Sequence, residues 1–385
     1  TRLMFSSRPS PIGSGCGRAG LAPAFLLHLG ILKNLPEYPD CTAGVSRDGR
    51  HVLYAARKGR LSLSIDQALL GVLPSRHQAI RLLGVGRNVL VVDGKGTPMR
   101  GPLDVIVEGD KIAAVRGADA RPGAYKNEAH VLDGTGMYLL PGFINSHIHL
   151  HDERAGRPQP FEYEHKIYLS CGVTTVRDVG TDPKKALAER RKSQEGSIVA
   201  PRIYVYLVAG GRTPEEARKS VRAIKEQGAD GVKLFGMDRD IMAAVTDEAT
   251  KLGLKVAHHI GVEEIDARDA AEFGVDTIEH WYGIPDAALK GSQNFPPSYN
   301  YNNESDRFRW AGRLWREADP DRLEDVLEEM VEQGVGWIPT FSTYEACRDM
   351  TRARNLPWFK EYLHPALEAY FAPSPPSTAI TAPVT

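Results

Sequence analysis

The stretch Leu139 to His151, LLPGFINSHIHLH, decides how the rest of the chain is read. Pro141-Gly142 is a turn signal, Phe143-Ile144 is apolar, and the run ends in His147 and His149, with His151 one alternation further. On a β-strand, residues i and i+2 leave the same face, so His147 and His149 reach one point. Neutral imidazoles are common ligands for zinc and related divalent ions. An H-x-H pair alone does not define a metal site, so partners must come from elsewhere in the chain.

Downstream the chain alternates. Strands are expected near residues 143–149, 173–179, 202–208, 231–235, 255–260, 277–281 and 337–341. Four helical segments between them each end in glycine. TPEEARKSVRAIKEQG has Thr213 as N-cap, Pro214 at the first helical position and Ala217, Val221 and Ile224 on one face. RDIMAAVTDEATKLG and VEEIDARDAAEFG end at Gly253 and Gly274. PDRLEDVLEEMVEQG carries Leu323, Val326, Leu327, Met330 and Val331 as its stripe. Such alternation argues a parallel sheet with crossover helices. An open doubly wound sheet would want a Gly-rich phosphate loop after an early strand, and the sequence has none. A (β/α)8 barrel places its chemistry at the carboxyl ends of the strands. Those ends carry His147, His149, Lys233 in GVKLF, the pair His258-His259 in KVAHHI, and His280 in TIEHW. Alternation sends His258 and His259 to opposite faces, so only one enters the barrel.

The pattern VDGKG…DVIVEGDKIAAV…VLDGTGMYLLPGFINSHIHL, followed by these strand ends, resembles the amidohydrolase superfamily of metal-dependent hydrolases, closest to its imidazolonepropionase and prolidase-like branches. The resemblance covers roughly residues 85 to 371. It implies a metal centre of His147, His149, Lys233, His259 and His280, with His259 favoured over His258 by its spacing from KVA. An ammonium cannot ligate a cation, so the resemblance further implies that Lys233 is carboxylated and bridges two divalent ions, taken as zinc, with manganese, iron, cobalt and nickel open; the alternative is an unmodified lysine that points into the site as a proton donor or into solvent. The implied chemistry is hydrolysis of an amide or other C–N bond through a metal-activated hydroxide. In the family the proton acceptor is an aspartate on strand eight. The segment after strand seven shows neither that strand nor that residue, so no catalytic residue is identified. Asp178 is expected to make a structural contact or one that supports a residue of the site, and Glu279 to point away from the side of its strand that carries His280. His151 and His165 are read as structural.

The fold expected is therefore α/β: a TIM-type barrel lacking its eighth strand, preceded by part of a small β-sandwich. Its divisions are an ill-defined segment at 1–79, the partial sandwich at 80–140, the barrel at 141–371 and a disordered tail at 372–385. Within 1–79, VSRDGRHVLYAARKGRLSLSI reads as strands with turns at Asp48-Gly49 and Lys58-Gly59. It is equally a propeller-blade remnant or a decorative hairpin. The longest loop follows strand six, and Trp281, Tyr282, Tyr299, Tyr301 and Arg307 are its candidates for substrate binding; it reads equally as an ordered surface excursion packed on its own aromatics. A competing reading is a catalytically incompetent, metal-binding remnant.

Composition bounds the partners. With 48 Lys and Arg against 49 Asp and Glu, the net charge of -1 gives no electrostatic reason to expect nucleic acid. The four cysteines form no C-x-x-C pair, which argues against a disulfide framework or a cysteine zinc site. The most apolar run, Leu21 to Leu32, is too short to span a membrane. A small-molecule or peptide-like substrate and a cytoplasmic location are expected, with export as the alternative and self-association left open.

Overall fold

The computed structural model describes residues 83–108, 111–118, 129–154, 156–261, 265–300 and 303–348, Arg352 and Asn355, and short strands at 24–25, 31–33, 42–45, 51–56 and 59–64. Seven parallel strands form one sheet in which every strand pairs with the next in sequence. They are Phe143–Ile148, Val173–Asp178, Arg202–Val208, Gly231–Leu234, Lys255–His259, Thr277–Glu279 and Gly336–Ile338. All seven lie where the sequence pattern puts them. The architecture is a (β/α) barrel whose sheet is nearly closed. The stretch expected to carry no eighth strand begins in the helix Phe341–Arg348; beyond it only Arg352 and Asn355 are described, and the tail at 372–385 lies outside the described residues.

The crossover helices follow from local chemistry. Pro214–Glu226 starts where Thr213 Oγ1 accepts from the Glu216 amide at 3.2 Å and Pro214 supplies a preset φ. It buries Ala217, Val221 and Ile224, spaced four and three apart, against the sheet. Full burial of each larger side chain stabilises by about 1.5–3 kcal/mol. The chain turns off this helix at Gly228, φ 78°, and off later ones at Gly253, Gly274 and Gly334 with φ of 66°, 80° and 72°. A residue with a Cβ is strained in that left-handed conformation, and this is why each helix reads as stopping at glycine.

Strand alternation divides the core in two. Val205, Leu207, Val232, Leu234, Val256 and Ile278 join the large cluster under the helices. Tyr206 and Ala257, on the other face, pack with Val179 inside the barrel. Gly231 faces inward too, where a Cβ would lie 2.6 Å from the Tyr206 ring. Only glycine lets that ring cross the floor of the barrel.

Three expectations need correction. Helix Pro320–Glu332 buries Val326 and Met330, but Leu327 is at its margin and Val331 is 78% exposed, so its stripe is narrower than read. The helix expected over VEEIDARDAAEFG is described only as Ala267–Glu272, capped by Asp266; residues 262–264 lie outside the described set. The excursion after strand six is not a simple loop. It contains a four-residue helix, Ile284–Ala287, and a long one, Glu304–Glu317, whose Ala311 and Leu314 are buried.

Ahead of the barrel, a second seven-stranded sheet gathers Leu83–Val91, Arg100–Glu108, Lys111–Gly117, Ala129–Asp133 and Met137–Leu139. Two strands from the segment expected to be ill-defined, Ala24–Phe25 and Ile31–Lys33, extend it beside Met137–Leu139. Thr42–Val45, His51–Ala56 and Gly59–Ser64 form a separate antiparallel sheet. Its expected turn residues Asp48, Gly49 and Lys58 lie outside the described residues. Among the described residues, no helix is long and apolar enough to cross a membrane.

Candidate metal centre

Four imidazoles meet at the carboxyl ends of strands one, five and six. His147 lies 5.2 Å from His149, 4.6 Å from His280, and His280 lies 4.3 Å from His259, measured between ring centroids. Lys233 projects into the barrel from strand four with its side chain wholly buried. Among the described residues its Nζ has no hydrogen-bond partner, and neither has Nε2 of His259. His258 leaves the opposite face of its strand, as alternation requires, and is fully buried with no partner for either ring nitrogen among the described residues.

Burial dominates the electrostatics here. It pulls the Lys233 ammonium down to about 7, against the attraction of Glu279 and with help from the Arg177 charge. The same desolvation, with the positive charge of neighbouring groups, depresses His280 to about 2 and His259 well below its ordinary range. The rings are therefore neutral at physiological pH, the state in which imidazole binds metals.

Glu279 does not point away from the His280 side, as the sequence suggested. Its carboxylate lies in the barrel, accepting from His147 Nδ1 at 2.5 Å, from Arg177 at 2.5 Å and from Thr277 Oγ1 at 2.7 Å. The strand ends at Glu279, and His280 takes φ 69°, so two consecutive side chains enter the site. Regular alternation cannot anticipate that backbone turn. Burial raises the Glu279 carboxyl, but the His147 hydrogen bond and the Lys233 and Arg177 charges outweigh it and hold it at about 2. Nδ1 of His280 is in turn 2.9 Å from Thr340 Oγ1.

Asp178 is structural, as expected: it is buried and accepts from the backbone N–H of Gly180, Thr181 and Leu150. His165 is structural too, paired with Glu189 at 3.0 Å.

The five residues offered for substrate binding separate. Tyr282 is fully buried and packs behind His259 and His280, its hydroxyl meeting that of Tyr344, so it is a wall of the site rather than part of its mouth. Trp281 is partly buried against Tyr282, Phe308 and Tyr344. Tyr299 stacks on Phe295 and meets Trp310 edge-on, packed under the excursion. Arg307 stands near enough to His259 for its charge to lower that ring's pKa. Tyr301 lies outside the described residues. A side chain that sequence reasoning missed is Phe235, 41% exposed with its ring 5.2 Å from His259. It follows Lys233 by two residues, and that alternation was the available signal. A surface cavity bounded by Leu289, Phe295, Arg313 and Glu317 contains none of the strand-end residues.

The donors suit a divalent ion: neutral imidazoles, a buried amine without a partner, and a carboxylate behind one ring. Among the described residues, however, no three His, Cys, Asp or Glu side chains stand in an arrangement that could hold an ion. The fifth group of the cluster is a lysine, which supplies a carboxylate only if carboxylated.

The model of the amidohydrolase family matches residues 138–291, the segment that carries the first six barrel strands and all five residues of the cluster. Over that segment the chain is similar to the amidohydrolase family. Among amidohydrolase relatives, a dihydroorotase from Thermus aquaticus is 41% identical over 66 residues, 17% of this chain and 13% of that protein. A dihydroorotase from Aquifex aeolicus is 25% identical over 186 residues, 45% of this chain and 41% of its own length. The chain thus spans well under half of the curated relatives it matches. In fold it is similar to a putative prolidase from Bifidobacterium longum, with a TM-score of 0.51, 22% identity, and 71% of this chain and 79% of that one covered.

Proposed function

We propose that this chain is the metal-binding part of a hydrolase acting on an amide or other C–N bond, with His147, His149, Lys233, His259 and His280 holding two divalent ions, zinc by preference. The observation that carries the reading is the gathering of four imidazoles at the strand ends beside a buried lysine whose Nζ has no hydrogen-bond partner among the described residues. Ions bound there would polarise a carbonyl and lower the pKa of a water.

The chain's own residues do the rest. The same desolvation that depresses Lys233 to about 7 leaves much of it as free amine near neutrality, the form that can add carbon dioxide. Carboxylated, it would turn a repelling cation into an anionic ligand. Phe235, Tyr344 and Trp281 make the wall beside the rings apolar, which suits an uncharged scissile group. Arg307 is the nearby cation for an anionic end of the substrate. The two nearby carboxylates are committed, Asp178 to three backbone amides and Glu279 to Arg177 and His147. Neither is placed to take the proton from a water.

The test is metal content per chain after purification without chelator, beside His147→Ala and Lys233→Ala. About two ions in the parent, halved or lost in the variants, is the expected result. No ion in the parent, and none taken up on reconstitution with zinc or manganese, overturns the reading.

A further inference from the structure

The buried unit under the histidines has a task of its own. Arg177, on strand two, donates to the Ser146 carbonyl at 2.6 Å, to Thr277 Oγ1 at 3.1 Å and to Glu279 Oε1 at 2.5 Å. Its guanidinium also lies 5.0 Å from the Tyr206 ring centroid. The fork leaves the Glu279 carboxylate little freedom, and its second oxygen faces Nδ1 of His147 at 2.5 Å. Strands one, two and six are thus joined through three side chains inside the barrel.

We infer that Glu279, held by Arg177, is a positioning residue that keeps the His147 proton on Nδ1 and so leaves Nε2 free to bind. A carboxylate only accepts, so an N–H must face it. The proton is then on Nδ1, and the lone pair is on Nε2. A carboxylate behind a ligating imidazole fixes both tautomer and ring direction. The role of the pair as ligand support rests on the reading of His147 as a ligand; the tautomer assignment does not.

The logic predicts the effect of one isosteric change. In Glu279→Gln, Arg177 still demands an acceptor, so the amide oxygen turns to Arg177 and the amide NH2 faces His147. Nδ1 must then accept, and the proton moves to Nε2. Replacing Arg177 as well, in Arg177→Met/Glu279→Gln, frees the amide to present its oxygen to His147 and returns the proton to Nδ1. Removing both charges also avoids leaving one buried and alone.

The experiment is nitrogen-15 NMR of the histidine rings in the whole, metal-free chain, with His147 assigned from a His147→Asn variant. Alongside it, zinc affinity is measured for each protein that keeps its thermal transition. The expected pattern is Nδ1–H in the parent, Nε2–H in Glu279→Gln and Nδ1–H again in the double variant. Zinc affinity should fall about 10–100-fold in the single variant, the range for loss of such a partner, and recover in the double one. An unchanged tautomer in Glu279→Gln overturns the inference, as does a double variant that fails to restore it. If the single variant does not fold, the double variant decides: Nε2–H there overturns the inference. A parent that binds no zinc sinks the ligand reading, while the tautomer series still decides the positioning role.

Discussion

His259 and His280 face each other nearly edge to face, 4.3 Å apart at 67°, although they leave adjacent strands with unlike backbones. His259 ends a regular strand; His280 lies one residue past its own, at φ 69°. The bend is held on both sides, by His280 N–H donating to the Ile338 carbonyl at 2.8 Å and by Trp337 Nε1 donating to the His280 carbonyl at 2.6 Å.

A left-handed conformation at a residue with a Cβ costs of order 1–3 kcal/mol. In chelator-treated protein, His280→Gly should therefore be about 1 kcal/mol more stable than His280→Ala, reversing the usual ranking of the two residues. Urea midpoints measure it. An alanine variant at least as stable as the glycine one would mean that the strand end relaxes and stores no strain.

Gly231 offers a second backbone test. A Cβ there would stand 2.6 Å from the Lys255 carbonyl oxygen and 2.6 Å from the Tyr206 ring. Gly231→Ala should lose about 1–3 kcal/mol, the usual cost of overpacking. An unchanged unfolding midpoint would show that strands four and five can part at that point.

His258 has two ring nitrogens with no partner among the described residues, and burial pushes its pKa down to about 3. A buried polar group left unpaired costs about 1–3 kcal/mol. His258→Leu is therefore expected to match or exceed the parent in stability by about 1 kcal/mol. A loss above about 2 kcal/mol, on the scale of a core cavity, would show that the ring is bonded in solution.

Asp286 sets a pH dependence. Burial lifts its carboxyl to about 7, with the Asp266 charge adding to the rise and hydrogen bonds from the Gly283 amide and Gln293 opposing it. The folded pKa is above the unfolded value of 3.8, so this contribution is fully present below 3.8 and lost as pH rises through about 7. Relative to Asp286→Asn, the parent should lose stability steadily between pH 4 and 7. Parallel stability curves for the two proteins over that window would refute it.

The later half of the barrel was legible because strands four to seven are announced twice, by a glycine closing the helix before each and by the apolar residues on it. Gly228 before GVKL and Gly253 before KVAHH are such cases. The cluster was legible because Lys233 and His259 follow simple alternation. Glu279 was not, since it shares the inward face with Thr277 by plain alternation while His280, one residue on, is turned into the same site by a φ that no period encodes. The helix Glu304–Glu317 was hidden by its polar start and by the aromatic-rich run before it, and only Ala311 and Leu314 lie deep enough to reveal its buried side. Tyr282 read as a mouth residue because tyrosine sits readily at either a surface or an interior, and its neighbours rather than its chemistry decided.

His147 and Glu279 are 132 residues apart along the chain and 2.5 Å apart in space. Their contact cannot exist before strand six has been synthesised and has joined the five before it. During translation the nascent barrel would therefore carry its first two histidines for seconds, at ordinary elongation rates of about 5–20 residues per second, without the carboxylate that orients one of them. Metal capture would come late in assembly, and an ion taken early by His147 and His149 alone would be held by a pair of rings still free to turn.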